Sequence, residues 1–194
     1  MFINYLTLML VLVAGGLVLL VAYGARMAEP RLESRRNWVA PLGLIGVALS
    51  LLSLHMVLTW PLPGPYNVVF GEPALLLGLL LLGLAFSIQR GLDLMPLAYL
   101  GALAALVPTI LSLAIFSFGL TSMPPMAGLA YLATGLGGLI SPLALRQAGF
   151  WRNACGILLL IGAILLGATG YMAYFLHTGT GPESIGGWVP APSR

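Results

Sequence analysis

Apolar residues in this chain run on for about twenty positions at a time, and short polar breaks separate the runs. A helix needs about 17–25 predominantly apolar residues to cross roughly 30 Å of hydrocarbon. Inside lipid every backbone amide must find its partner within the element, so runs of this length read as helices. Six segments meet or approach the requirement, at about 5–25, 38–60, 73–88, 95–118, 126–145 and 155–177. The second carries tryptophan at both ends, Trp38 and Trp60, where amphipathic rings favour the interface. The third is short, and spans comfortably only if part of Val68-Val69-Phe70 also lies in the membrane. The expected fold is therefore all-α: an integral membrane bundle of six transmembrane helices with short loops. Residues 1–177 form that single bundle, and 178–194 form a Gly- and Pro-rich tail too short for a domain.

Composition agrees with the pattern. Hydrophobic residues make up 60% of the 194 positions and charged residues 7%, and the mean hydropathy is +1.04. Soluble domains carry roughly a quarter charged residues, so lipid must solvate most of this chain. The net charge of +3 comes from eight scattered arginines with no basic run beside aromatics, which excludes a nucleic-acid partner. Lysine is absent, and nothing in the sequence explains that. The single Cys155 excludes an intrachain disulfide or a thiolate cluster and reads as an inert small hydrophobe. Ala22-Tyr23-Gly24-Ala25 loosely suggests a signal-peptide cleavage region, but Met1–Asn4 carry no positive charge, so the first run reads as a true span.

The arginines set the orientation. Arg26, Arg31, Arg35 and Arg36 follow the first span, Arg90 follows the third, and Arg146 and Arg152 follow the fifth. The alternate loops, 61–72 and 119–125, hold none. By the positive-inside rule both termini, and the 178–194 tail, face away from the cytoplasm of a multi-pass cell-membrane protein. Arg31, Arg35 and Arg36, mixed with Glu29 and Glu33, would also touch anionic head groups. Asp93 is placed to pair with Arg90.

Small residues recur four apart at Gly46/Ser50, Gly101/Ala105, Thr134/Gly138 and Ala163/Gly167. Such spacing makes helix–helix seams, either within the chain or against a second copy or another membrane subunit. Pro108 removes a backbone bond inside the fourth span and is expected to kink it. No inverted repeat of the kind found in secondary transporters is evident.

Candidate chemistry collects at the extracytoplasmic level. His55 lies one and a half turns before Trp60, Glu72 stands before Pro73, and His177 closes the sixth span. Tyr171, Tyr174 and His177 follow Gly167 along one stripe, and the outer loop adds Trp60, Tyr66 and Asn67. Ionisable groups near hydrocarbon usually have partners or a task. His55, Glu72 and His177 are a plausible ligand set for a transition metal, and two histidines on different helices could clasp a haem. Each residue also has a plainer reading. His55 can bond a neighbouring backbone or hydroxyl, Glu72 before proline suits a helix start, and His177 and the tyrosines suit an interfacial belt. The spacings match no strong metal signature. The loop at 61–67, with three prolines in five residues, is either a stiff surface cap or, with Val68-Val69-Phe70, a re-entrant segment.

Across His55-Met56-Val57-Leu58-Thr59-Trp60-Pro61-Leu62-Pro63-Gly64-Pro65-Tyr66-Asn67, continuing to Phe70-Gly71-Glu72, the sequence resembles the archaeal and bacterial membrane proteins of domain-of-unknown-function family 981. The resemblance implies a small multi-span membrane protein in a prokaryote and brings no activity. It adds that His55, Trp60, Asn67 and Glu72 belong to the stretch by which that family is recognisable. The favoured function is binding of a metal, haem or lipophilic small molecule such as a quinone in a pocket near the extracytoplasmic face. A small-solute transporter or channel, and a non-catalytic subunit of a membrane complex, are the alternatives. A membrane enzyme lacks any visible nucleophile–base pair.

Overall fold

A computed structural model describes residues 5–27 and 35–178, with side chains through 176. Its described residues are helical throughout apart from short turns: α1 (Leu6–Arg26), α2 (Val39–Thr59), α3 (Glu72–Arg90), α4 (Met95–Phe118), α5 (Pro124–Leu139), α6 (Ser141–Arg146) and α7 (Phe150–Thr178). A π-helical turn, Asn67–Gly71, runs straight into α3.

Five of these are long and apolar enough to cross a membrane: α1, α2, the π turn with α3, α4 and α7. The third is thus longer than its apolar run alone implies, because the π turn absorbs Val68 to Gly71 and extends the helix over Asn67–Arg90. Val68-Val69-Phe70 therefore belong to this helix and not to a non-helical segment dipping back from the proline loop. Only the preceding residues, Trp60 to Pro65, lie outside helix, and most are exposed.

The segment expected as the fifth span is not one helix. It divides at Ile140 (φ −87°, ψ 2°) into 16 residues and 6 residues. Pro142 causes the division: it has no amide to offer Gly138, and proline crowds the backbone before it. Alone, α5 rises about 24 Å, short of the roughly 30 Å of hydrocarbon.

Neighbouring helices pack antiparallel, and glycines record the register. A Cβ on Gly78 of α3 would lie 2.9 Å from the backbone nitrogen of Ser50 on α2. One on Gly138 of α5 would meet Ala105 of α4, and one on Gly162 of α7 would meet Thr134 of α5. Gly156, Gly167 and Gly170 of α7 face Val21, Ala14 and Leu10 of α1 in reversed order, so the start of α1 and the end of α7 share one end of the bundle. All four small-residue pairs read from the sequence are therefore engaged within the chain.

Going round, the helices follow one another as α1, α7, α5, α4, α3 and α2, closing back onto α1. Three core clusters fill the contacts, and Leu77 of α3 packs against all three. The outward faces carry exposed Leu, Ile, Val and Phe, including Leu44, Leu58, Leu103 and Ile164. A surface so apolar is stable in lipid, not in water. The helix α4 continues through Pro108, which is buried, and Thr109 hydroxyl donates back to the Ala105 carbonyl at 2.8 Å.

Candidate functional site

Between α1, α3, α4, α5 and α7 lies a cavity of about 790 Å³, half open to its surroundings. Small clefts and cavities that hold ligands run from about 300 to 1,000 Å³ and are mostly apolar with a few polar groups. This one extends along α1 from Leu6 to Met27, which at about 1.5 Å per residue is roughly 30 Å, the height of the hydrocarbon. Aliphatic side chains dominate the wall: Met9, Leu10, Val13 and Leu17 from α1, Leu76, Leu77, Leu80 and Leu84 from α3, and Leu159 and Leu166 from α7. Small residues of α4 and α5, among them Ala98, Gly101, Ala104 and Gly138, keep the space open. No side chain of α2 reaches it.

The end nearest the π turn is lined by aromatics. Tyr131 of α5 is buried and its hydroxyl donates to the Val69 carbonyl at 2.6 Å. A π turn leaves its carbonyls off the usual ladder, and Tyr131 satisfies this one. The Phe70 ring stands edge-on to Tyr131 (centroids 6.4 Å) and stacks on Tyr66 (6.1 Å). Phe70 and Tyr131 line the cavity. Asn67, fully buried, accepts from the Leu62 amide at 3.1 Å and donates to the Leu62 carbonyl at 2.5 Å, tying the proline loop to the π turn.

The opposite end is polar. Tyr23, Ser141, Arg152 and Asn153 line it. Around it, Arg35 donates to the Met27 carbonyl at 2.9 Å, capping the end of α1. Arg146 donates to the Tyr99 hydroxyl at 2.5 Å and lies over that ring. The expected Asp93–Arg90 pairing is replaced by two others. Asp93 accepts the Met95 amide at 3.0 Å at the start of α4, and Arg90 sits over Phe86. Cys155 is buried, its thiol 3.2 Å from the Gly137 carbonyl.

The residues singled out from the sequence lie mostly elsewhere. His55 is exposed; its Nδ1 is 2.7 Å from the Tyr5 hydroxyl, and the two rings meet edge-on at 5.4 Å. Thr59 hydroxyl donates to the His55 carbonyl at 2.8 Å. Trp60 is exposed and ends α2 in the left-handed region at φ 50°, and Glu72 is exposed in the first turn of α3. Tyr171 and Tyr174 are exposed too, while Gly167 on the same stripe is buried against Ala14. The side chain of His177 lies outside the described residues, as do Arg31, Glu29 and Glu33. Among the described residues no three His, Cys, Asp or Glu side chains gather as a metal-holding group. None of the seven candidate residues with a described side chain lines the cavity; only their neighbours, such as Phe70 and Pro73, do.

The lining residues escaped sequence reading because a leucine facing a void and a leucine facing a core are the same letter. Tyr131 gave the one usable signal, a hydroxyl in the middle of an apolar run that must find a buried partner.

Five apolar helices of membrane-crossing length, four of them lining an apolar cavity, mark a multi-pass helical membrane protein. A family model described as a protein of unknown function (DUF981) matches residues 1–180, and the chain belongs to that family. No curated protein matches the chain, and no solved structure does.

Proposed function

We propose that this chain binds a lipophilic small molecule inside its bundle. The cavity carries the reading: about 790 Å³, membrane-high, walled by aliphatic side chains and lined at one end by the Phe70–Tyr131 pair. Each buried methylene of a guest gains roughly 0.8 kcal/mol by leaving water, whereas water placed there would find few partners. A lipophilic guest is favoured over the metal and haem alternatives, because His55 is engaged by Tyr5 and Thr59 at the periphery, away from the cavity wall. Six crossings, with α5 and α6 together forming the fifth and both termini outside the cytoplasm, is the threading that the arginine distribution supports.

Solvent extraction of the purified protein followed by mass spectrometry tests the binding. A discrete lipophilic species should co-purify at near-stoichiometric amounts with the wild type, and Ala104→Trp, which fills the chamber from the α4 wall, should remove it. Recovery of only bulk lipid, in equal amounts from both proteins, would sink the reading.

A further inference from the structure

The two ends of the cavity differ in chemistry. Among the described residues that line it, Arg152 alone is charged. Its Nε is shielded from solvent and has no hydrogen-bond partner among the described residues. Arg152 as a whole is half-buried, but a donor shielded in this way without a partner is costly, since that N–H has given up water and received nothing in return. No Asp or Glu is among the described residues that line the cavity. Tyr23, Ser141 and Asn153 add neutral polar groups at the same end. Among the described residues at that end, Arg26, Arg35, Arg36, Arg90 and Arg146 outnumber the acidic Asp93, so the local charge is net positive.

From Arg152 the cavity wall follows α7 to Leu166, 14 residues on and roughly 21 Å along the helix. Two acyl chains end to end fill about 30 Å of bilayer, so one chain needs about 15 Å. The shaft is long enough for one acyl or prenyl tail.

We infer that the guest is an amphiphile with an anionic head, a carboxylate or phosphate, held by the Arg152 guanidinium, its tail lying in the aliphatic shaft towards Phe70 and Tyr131. This rests on the binding reading above and deepens it. Arginine suits the role because its planar fork meets carboxylate and phosphate oxygens two at a time. The head completes the unpaired Nε, and the tail excludes water from the contact and so strengthens it.

Three probes with the same saturated tail, palmitate, hexadecyl phosphate and uncharged hexadecanol, separate head from tail. Binding is measured by native mass spectrometry from phosphatidylcholine nanodiscs, whose lipids carry no net charge. The wild type should bind one or both anionic probes roughly tenfold or more tighter than hexadecanol. Arg152→Gln should bring the three to parity with hexadecanol binding intact, which also shows that the variant is folded. Arg152→Lys should keep part of the preference, and Arg146→Gln, outside the cavity, all of it. The rank of palmitate against hexadecyl phosphate decides between the two heads. Equal binding of all three probes by the wild type, or a preference that survives Arg152→Gln, overturns the head-group assignment and leaves the cavity as a site for neutral guests. Binding of none of them overturns both.

Discussion

Gly78→Ala tests the helix register most sharply, because a second glycine on the same interface provides its control. A Cβ at Gly78 would lie 2.5 Å from Ser50 Oγ, 2.9 Å from Ser50 N and 3.2 Å from Ser50 Cα. Rotating the serine hydroxyl away relieves only the first contact; the other two are backbone and move only if α2 and α3 separate. Overpacking of this kind costs about 1–3 kcal/mol. Alanine offsets part of that through its better helix propensity, about 0.5–1 kcal/mol in water. The offset is smaller in a micelle, where the denatured chain retains much of its helix. A net loss of about 1–2 kcal/mol follows. At Gly43 of α2 the nearest atom to a new Cβ is the Ala85 Cβ at 3.9 Å, an ordinary contact. Gly43→Ala should therefore be neutral or stabilising by up to about 0.5 kcal/mol. The two variants should differ by about 2 kcal/mol, roughly thirtyfold in the folded-to-unfolded ratio. Unfolding in mixed dodecylmaltoside–SDS micelles, followed by tryptophan fluorescence, measures both. Equal shifts for the two variants, or an unperturbed Gly78→Ala protein, would refute the α2–α3 register.

Tyr131→Phe keeps the ring against Phe70 but leaves the Val69 carbonyl without its donor, and should cost about 1–2 kcal/mol in the same unfolding assay; a change below about 0.3 kcal/mol would mean that the carbonyl has another partner. Asn67→Leu removes both bonds to Leu62 from a fully buried position, and should destabilise the protein by about 2–3 kcal/mol and open the 61–66 loop to protease; unchanged cleavage would show that the prolines hold the loop unaided. Tyr5→Phe, at an exposed pair, should shift stability by less than about 1 kcal/mol, and a larger loss would give the His55 contact more than a stitching role. Alkaline phosphatase fused to either terminus should be active in a bacterial host; activity at one end alone would leave an odd number of crossings.

Much of the fold is written in run lengths. The first, second and fourth apolar runs end within a few residues of α1, α2 and α4, since hydrocarbon thickness fixes how long such a helix must be. The third and fifth escaped because their boundaries depend on backbone hydrogen bonding, not hydropathy. Asn67 looks like a loop residue until its amide is seen folded onto Leu62, which lets the π turn begin there. Pro142 is visible in the sequence, yet a hydropathy window averages straight through it. The four small-residue pairs were legible as seams, and their partners were not, because glycine and alanine fit against any close backbone. For the site, charge and aromaticity drew attention to His55, Glu72, Tyr171 and Tyr174, which lie at the bundle's periphery. Arg152 was readable only as a marker of orientation, and nothing in one dimension reveals that its Nε ends up shielded beside a void.

The helices are not joined equally firmly, and that has a mechanical outcome. Between α2 and α3, α4 and α5, and α1 and α7, backbones nearly touch through glycine. Between α3 and α4 the bridging is done by flexible leucines, Leu97 reaching to Gly83 and Leu80 to Gly101. Turning two side chains about their χ angles loosens that seam, whereas parting the three glycine-lined ones requires whole helices to slide. A guest would thus slip in sideways from the surrounding lipid, without ever passing through water. A cross-link tying Gly83 and Leu97 positions together should slow its exchange while leaving its equilibrium affinity unchanged, and unaltered exchange would point to another door.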